Sequence, residues 1–239
     1  MSKVIFIVDG EFMRKRIISL KAFYFDGQGI RQHCLSHLKD GDTLERVMFY
    51  DSLPYTGKGE HPITGPLDFS QTPLVFRKQQ FLQTLRVTPN LSLRLGRSAW
   101  QSGAWQLDSA KLGELVAGEI SYEDIKADDI YPDIRQKGVD VRLGLDIATI
   151  AYKKLANKVV LVANDADFTP GVQLLREEGI TVVLDPLWTR AAEDLREHVD
   201  YVSNKLSRPE NINGIHIFDD PKDIVNARSR ATIVIKTPE

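Results

Sequence analysis

Short apolar runs alternate along this chain with longer segments in which apolar positions recur at helical spacing. Five short runs predict strands, at 3–8, 44–52, 91–96, 158–163 and 180–185, and the first is β-branched and apolar at successive positions. Strands that are apolar at successive positions are typical of a sheet covered on both faces. Because helical segments separate these runs, we predict an α/β fold with a central parallel sheet.

The helical segments are longer and are interrupted in two places. Helices are predicted at 11–24, 29–40, 74–87, 139–156, 170–179 and 189–200. One interruption is rich in Pro and Gly, which predicts a long loop, and the other is acidic and weakly patterned. We therefore predict one domain over 1–204 with insertions at about 52–75 and 108–136. A C-terminal extension over 205–239, with one more β-like run (ATIVIK), completes the chain.

Composition and charge narrow the class of protein. The net charge is only −2, so any surface for nucleic acid must be a local patch. The single cysteine, Cys34, excludes a disulfide framework and a cysteine-based zinc site. No apolar stretch is long enough to span a membrane, and the first apolar run is too short for a signal peptide. We therefore expect a cytoplasmic protein without a membrane partner.

Acidic residues follow the predicted strands at their carboxyl ends. Asp9 follows the first strand, and Asp165 and Asp167 follow the fourth within the stretch LVANDADFTP. Sites in parallel α/β sheets lie at these ends, near the switch in strand order. A lone aspartate there is more often a helix cap. Thr169 and Pro170 already suit the start of the next helix, so capping does not require both members of the pair.

Two further acids belong to the longest predicted helix. Asp140 opens this helix, where an acid also favours the helix dipole. Asp146 falls inside it, on a polar stripe that includes Arg142. Two interpretations of Asp146 stay open at this point: an ion pair with Arg142 on a solvated face, or a place in the site.

Convergence of these acids at one sheet edge would be unfavourable without a counter-ion. The acids concerned are Asp9, Asp140, Asp165 and Asp167. Two unit charges about 4 Å apart repel by about 4 kcal/mol at an effective dielectric constant of 20. A bound cation removes this cost, and oxygen ligands without His or Cys select hard ions such as Mg²⁺ or Mn²⁺.

Four segments resemble the NYN domain family, in particular the LabA-like branch of the PIN-like nucleases. They are FIVDGEF, QKGVDVRLGLDIATIAY, VVLVANDADFTPGVQLLREEGITVVL and LREHVDYV. The resemblance implies a PIN-like three-layer α/β/α fold, for which we predict the strand order 3-2-1-4-5. It also implies a metal-dependent ribonuclease, a hydrolase that cleaves RNA phosphodiester bonds with a metal-activated water.

The resemblance also implies roles for individual residues. Asp9, Asp140, Asp165 and Asp167 match the acids that are catalytic and hold the Mg²⁺ or Mn²⁺ ion, and Asp146 matches a further catalytic acid.

Two positions depart from the family pattern and keep other functions open. Phe12 replaces an asparagine, and Asn164 replaces a glycine. These changes suit an alternative in which the chain is a weakly active or inactive RNA-binding module of the same fold. A second alternative is a haloacid-dehalogenase-like phosphatase. That chemistry requires Asp-x-Asp after the first strand, whereas this chain has Asp9 and Glu11.

A stretch without acids, 69–107, contains the cations that we expect to bind RNA. The predicted RNA-binding residues are Arg77, Lys78, Arg94 and Arg97. Aromatic residues among the cations suit single-stranded or structured RNA, because charges contact phosphates and rings stack on bases. In the alternative interpretation, Phe76 and Phe81 belong to the core and the cations only decorate the surface. Self-association as a homodimer is left open.

Other catalytic patterns are absent from the sequence. There is no phosphate-binding loop, dinucleotide fingerprint or nucleophile elbow. His33 and His37 have the i,i+4 spacing of a helical pair, but the glutamate of a zinc-protease motif is missing. We therefore interpret these histidines as a surface pair.

Overall fold

A computed structural model describes residues 1–22 and 25–207 of the chain. Its strands are β1 (Ser2–Asp9), β2 (Asp42–Leu53), β3 (Lys58–His61), β4 (Gly65–Asp68), β5 (Leu91–Leu107), β6 (Ile130–Lys137), β7 (Lys158–Val162), β8 (Thr181–Asp185) and β9 (Tyr201–Val202). Its α-helices are α1 (Gly10–Leu20), α2 (Gly27–Ser36), α3 (Pro73–Arg86), α4 (Ser109–Val116), α5 (Val139–Tyr152), α6 (Thr169–Glu177) and α7 (Glu193–His198). No helix in these ranges is both long and apolar enough to span a bilayer.

The central sheet confirms the predicted fold class and strand order. Its strands follow the order β6-β5-β2-β1-β7-β8-β9. The five strands expected from the sequence therefore occur as β5-β2-β1-β7-β8, which is the predicted order 3-2-1-4-5. β1 pairs in parallel with both β2 and β7, and β7, β8 and β9 continue the parallel arrangement. β6 is an antiparallel addition beside β5.

The described chain forms two compact units. The described part of the first unit contains residues 1–22, 25–51, 83–94 and 140–207, and the second contains 52–82 and 95–139. β2 and β5 each continue from one unit into the other.

Helices cover both faces of the sheet in the first unit. On one face, His37, just after α2, packs edge-on against Phe6 of β1, with ring centroids 5.8 Å apart. On the other face, α5 lies against β2, where the Tyr50 hydroxyl donates a hydrogen bond to Asp146. The residues of β1 between these layers, 4–8, are almost completely buried. Full burial of each such side chain stabilises the fold by roughly 1.5–3 kcal/mol, which explains why these strands are apolar throughout.

The second unit corrects the prediction of a long loop after β2. β3 and β4 pair there as an antiparallel hairpin, with His61 opposite Gly65. Contacts among aromatic rings help to order this segment, although it is rich in Pro and Gly. The rings in edge or stacked contact belong to Tyr55, His61, Phe69, Trp100 and Trp105.

Other elements also differ from the sequence-based expectation. The acidic segment contains a helix, α4, and a strand, β6, although it shows little periodicity. The strand predicted at 91–96 continues to Leu107, because β6 pairs with its second half. The last predicted helix is shorter, since α7 covers only Glu193–His198. The β-like run at the C-terminus lies outside the described residues.

We predict that Gly10 cannot be replaced without loss of stability. A Cβ atom at Gly10 would lie 2.5 Å from the carbonyl oxygen of Tyr50 and 2.5 Å from the ring of Phe49. Gly10→Ala should therefore lower the free energy of unfolding by about 1–3 kcal/mol, as overpacked substitutions do. Urea denaturation measures this change. The control is Gly144→Ala in α5, where a Cβ meets no atom within 4 Å. This control should raise stability by up to about 1 kcal/mol, and equal stability of the two variants would contradict the prediction.

Candidate active site

The strand order reverses at β1, which places the ends of β1 and β7 at the topological switch point. β2 lies on one side of β1 and β7 on the other. Val8 pairs with Val162 in parallel register, so Asp9 and Asp165 follow their strands at the same edge of the sheet. Crevices at such edges are where open α/β sheets bind ligands.

Asp9 is a helix cap and a partly buried carboxylate at the same time. Its Oδ1 accepts hydrogen bonds from the backbone N–H groups of Glu11 and Phe12, both at 3.0 Å. Within the described structure, Oδ2 of Asp9 accepts no hydrogen bond. Burial raises the pKa of Asp9 above its ordinary value, against the effect of these backbone bonds, and the charges of Glu11 and Asp165 add to the rise. The site therefore holds a carboxylate that a cation would stabilise.

Asp165 and Asp167 occupy a single 3₁₀ turn after β7. Oδ1 of Asp165 accepts a hydrogen bond from the backbone N–H of Asp167 at 3.1 Å. Both acids are exposed to solvent. Asp165 thus fixes the turn with one oxygen and leaves the other at the surface.

Thr169 does not cap α6, so this part of the sequence interpretation is wrong. The helix begins at Thr169, and Phe168 occupies the capping position without a side-chain hydrogen bond. The hydroxyl of Thr169 is buried and has no hydrogen-bond partner within the described part of the chain. The 3₁₀ turn Ala166–Phe168 explains the difference. It leads directly into α6, so Thr169 is the first helical residue rather than the capping residue before the helix.

The two acids of α5 have different surroundings. Asp140 lies in the first turn and is exposed. Oδ2 of Asp146 accepts hydrogen bonds from the Tyr50 hydroxyl at 2.9 Å and from Nε of Arg94 at 2.6 Å. The interpretation of Asp146 as the ion-pair partner of Arg142 is therefore wrong, because Asp146 belongs to a network that connects α5 to β2 and β5. Burial, followed by the hydrogen bond to Asp146, raises the pKa of Tyr50 above its ordinary range.

The aspartates at the switch point do not form a tight ligand cluster. Among the described residues, one group has three potential metal-ligating atoms within 4.8 Å of one another, and it consists of His33, His37 and Asp185. Asp9 and Asp165 are close enough for their charges to interact.

Asp51 is an acid that the sequence analysis did not select. It follows Tyr50, which pairs with Asp9 across the β1–β2 ladder, and it is only 2% exposed. The sequence signal was the YDS stretch at a predicted strand end. Its position at a strand end did not reveal that Asp51 is buried, because many acids at strand ends are exposed at the surface.

The histidine pair of α2 is buried, so its interpretation as a surface pair is wrong. Nε2 of His33 and Nε2 of His37 each donate a hydrogen bond over 2.8 Å to Oδ2 of Asp185, which ends β8. Burial opposes ionisation of Asp185, but the two histidine hydrogen bonds outweigh it and lower its pKa to about 2. Burial lowers the pKa of His37, although the hydrogen bond to Asp185 opposes this shift.

Of the two positions that depart from the family pattern, Phe12 has a packing role, whereas the hydrogen bond given for Asn164 involves only its backbone. Phe12 is 9% exposed and belongs to the core face of α1. Asn164 is half-buried, and its carbonyl oxygen accepts a hydrogen bond from the N–H of Ala192 at 3.1 Å. Phe12 therefore adds apolar packing beneath the Asp9 cap where the family pattern has a polar side chain.

The predicted RNA-binding cations fall in both units. Arg94 belongs to the first unit and is committed to Asp146. Arg77, Lys78 and Arg97 belong to the second unit, where Arg77 and Arg97 are exposed and Lys78 is half-buried.

The aromatic residues near these cations are divided between surface and interior. Phe76 is 61% exposed, which contradicts the alternative that it belongs to the core. Trp100 and Trp105 pack against each other, with ring centroids 5.4 Å apart, and are half-buried.

The fold and the position of the acids define a doubly wound α/β domain with carboxylates at its switch point. Residues 105–206 match the family model of the NYN domain, a segment that contains Asp140, Asp165 and Asp167. The match supports the NYN family and its PIN-like nuclease fold. No curated protein matches the chain. The chain is similar to the crystal structure of a protein of unknown function from Vibrio parahaemolyticus RIMD 2210633, with 15% identity, a TM-score of 0.47, and coverage of 85% of this chain and 92% of that chain.

We predict that Asp146 contributes to stability through its network. Asp146→Asn removes a charge-assisted hydrogen bond to Arg94 and should lower the free energy of unfolding by about 1–2 kcal/mol. Asp140→Asn, at an exposed position of the same helix, should change it by less than about 0.5 kcal/mol. Urea denaturation of both variants gives the comparison. Combining Asp146→Asn with Arg94→Gln should cost less than the sum of the single changes; strict additivity would show that the two side chains do not interact.

Proposed function

We propose that this chain is a metal-dependent ribonuclease that hydrolyses RNA phosphodiester bonds. The observation that carries the proposal is the position of Asp9 and Asp165 at the carboxyl ends of β1 and β7, at the switch point of the sheet. The NYN match supports a ribonuclease-type function. Assignment to the LabA-like branch, and a cytoplasmic location, are parts of this proposal that rest on the sequence motifs and composition.

The carboxylates at the switch point fit a hard divalent cation. Asp9 has one oxygen tied to backbone N–H groups and one without a hydrogen bond within the described structure. Its raised pKa reflects burial and neighbouring negative charge, both of which a cation would relieve. We propose that Asp9 and Asp165 hold Mg²⁺ or Mn²⁺, and that Asp140 and Asp167 complete the site.

The remaining acids have different roles in the proposed reaction. A bound Mg²⁺ or Mn²⁺ would lower the pKa of a water molecule and neutralise charge that develops on the phosphodiester. Asp140 and Asp167 are exposed, so their carboxylates are free to orient the attacking water by hydrogen bonds. Asp146 is a positioning residue in this proposal, since its carboxylate is occupied by Tyr50 and Arg94. Correct orientation of water and phosphate supplies much of the remaining rate enhancement.

We predict that purified protein cleaves RNA in the presence of Mn²⁺ and that Asp165→Asn removes this activity. The substitution keeps the side-chain size but removes a charge, so the rate should fall by about 100-fold or more. Gel analysis of mixed single-stranded and structured RNA substrates, with Mn²⁺ or EDTA, measures the effect. Calorimetric titration with Mn²⁺ should show weaker binding to Asp9→Asn and Asp165→Asn.

The matched control for this experiment is Asp40→Asn. Asp40 is an exposed acid just before β2, at the opposite edge of the sheet. This variant should bind Mn²⁺ and cleave RNA like the unmodified protein. Cleavage that continues in EDTA, or at an equal rate in Asp165→Asn, would assign the activity to a contaminant or to another site.

A second candidate function is an RNA-binding module without turnover. The observation that favours it is Phe12, an apolar side chain packed under the Asp9 cap where the family pattern has asparagine. This alternative expects RNA and Mn²⁺ binding without cleavage of RNA or DNA. The phosphatase alternative gains no support, because its chemistry requires a second aspartate where this chain has Glu11.

We predict that Arg77, Lys78, Arg94 and Arg97 contact RNA phosphates. Arg94 also holds Asp146, so the clean test is the double variant Arg77→Gln and Arg97→Gln. Each lost phosphate contact on single-stranded RNA should reduce the slope of log K against log salt by about 0.7. Binding should weaken equally for all sequences, as fluorescence anisotropy at several salt concentrations would show.

The control for the binding experiment is Lys3→Gln, near the amino end of β1. Its salt dependence should match that of the unmodified protein. A salt slope unchanged in the arginine double variant would assign both arginines to the solvent-exposed surface alone.

A further inference from the structure

A buried group of two histidines and one aspartate lies away from the aspartates of the proposed nuclease site. Asp185 is 0% exposed, and His33 and His37 are 5% and 6% exposed. Both histidines belong to the α2 region, one helical turn apart, while Asp185 is the last residue of β8. Val8, Val162 and Asp185 occupy one row across the sheet, one row before Asp9. Neighbouring rows point to opposite faces, so Asp185 and Asp9 face opposite layers.

The three side chains direct potential ligand atoms to one point. Each histidine Nε2 lies 2.8 Å from Oδ2 of Asp185, and the three atoms are all within 4.8 Å of one another. Two ligand atoms that are each about 2.0–2.1 Å from one tetrahedral zinc ion lie about 3.3–3.4 Å apart. The side chains therefore have the separation that a shared ion requires, with only small adjustment.

The surroundings hold these side chains in fixed orientations. Oδ1 of Asp185 accepts a hydrogen bond from the N–H of Leu187 at 2.9 Å. The carbonyl oxygen of Leu187 in turn accepts two hydrogen bonds from Arg16 of α1, at 3.0 and 2.8 Å. The His37 ring is flanked edge-on by Phe6 and by His33. Metal sites depend on such outer contacts to orient their ligands.

We propose that His33, His37 and Asp185 form a second metal site, which binds a transition-metal ion such as Zn²⁺ between α2 and the carboxyl end of β8. Two imidazoles and one carboxylate select ions of the Zn²⁺, Co²⁺ or Fe²⁺ type, whereas Mg²⁺ prefers oxygen ligands alone. Histidines at i,i+4 on one helix face are a spacing that zinc sites use. The site is therefore chemically distinct from the carboxylates proposed to serve the nuclease reaction.

Binding at this site links two layers of the first unit. The ion replaces the two N–H···O hydrogen bonds, so each Nε2 must be unprotonated, with its proton on Nδ1 or released to solvent. The α2 helix and the strand β8 would then be joined by coordination bonds. Because the ion binds the folded chain preferentially, it should raise the unfolding temperature, and the rise should grow with the logarithm of the ion concentration above the dissociation constant.

The test uses the full-length protein, freed of metal by a chelator and titrated with Co²⁺. Imidazole and carboxylate ligation should produce a visible Co²⁺ absorption band that saturates at one ion per chain. His37→Gln keeps an N–H donor near Asp185 but removes the imidazole ligand, so it should weaken Co²⁺ binding at least tenfold. His198→Gln, at a half-exposed histidine of α7, is the matched control and should bind like the unmodified protein.

Two further measurements distinguish this proposal from the nuclease proposal and from a folding defect. Asp9→Asn combined with Asp165→Asn should retain the Co²⁺ band, whatever its RNA cleavage activity. Crystals of the unmodified protein soaked in Co²⁺ should show anomalous density between His33 and His37. Density at Asp9 and Asp165 alone, or a Co²⁺ band unchanged in His37→Gln, would overturn the proposal and leave the triad as a hydrogen-bonded network only.

Discussion

Parallel pairing of β1 with both β2 and β7 is the constraint on which the candidate active site depends. It makes β1 the strand at which the sheet order reverses, and open α/β sheets bind ligands beside the strand ends at such a point. Asp9 and Asp165 stand at that point, although 156 positions separate their numbers in the sequence. The apolar side chains of 4–8 hold β1 in the interior and thereby fix the position of Asp9.

Capping and chemistry are compatible in these carboxylates because each carries two oxygens. Asp9 and Asp165 both use Oδ1 to accept backbone N–H groups at the start of a helical turn. Those hydrogen bonds restrict the rotamer of each side chain, so the proposed binding of a cation by the second oxygen would cost little conformational entropy. A hydrogen bond that fixes Oδ1 of such an aspartate therefore also fixes the direction of its second oxygen.

Two other acids of the first unit show how burial changes the role of the same residue type. Asp146 is neutralised by Arg94 and hydrogen-bonded to Tyr50, and so it connects α5 to the neighbouring strands. Asp185 is fully enclosed and receives three N–H donors, from His33, His37 and Leu187. A buried carboxylate is tolerated only with such partners, because an uncompensated charge in the interior is very costly.

The sequence by itself determined the fold class, the order of the five main strands and the location of Asp9 and Asp165 at strand ends. The fold class and the strand ends follow from apolar periodicity and short-range chemistry, which are written in consecutive residues. The strand order was predicted from the resemblance of four segments to the NYN domain family. Tertiary structure alone decided that Arg94 rather than Arg142 neutralises Asp146, and that His33 and His37 are buried against Asp185. It also decided that aromatic packing orders the hairpin after β2. These contacts join residues far apart in the chain, so no local pattern specifies which partner a side chain meets.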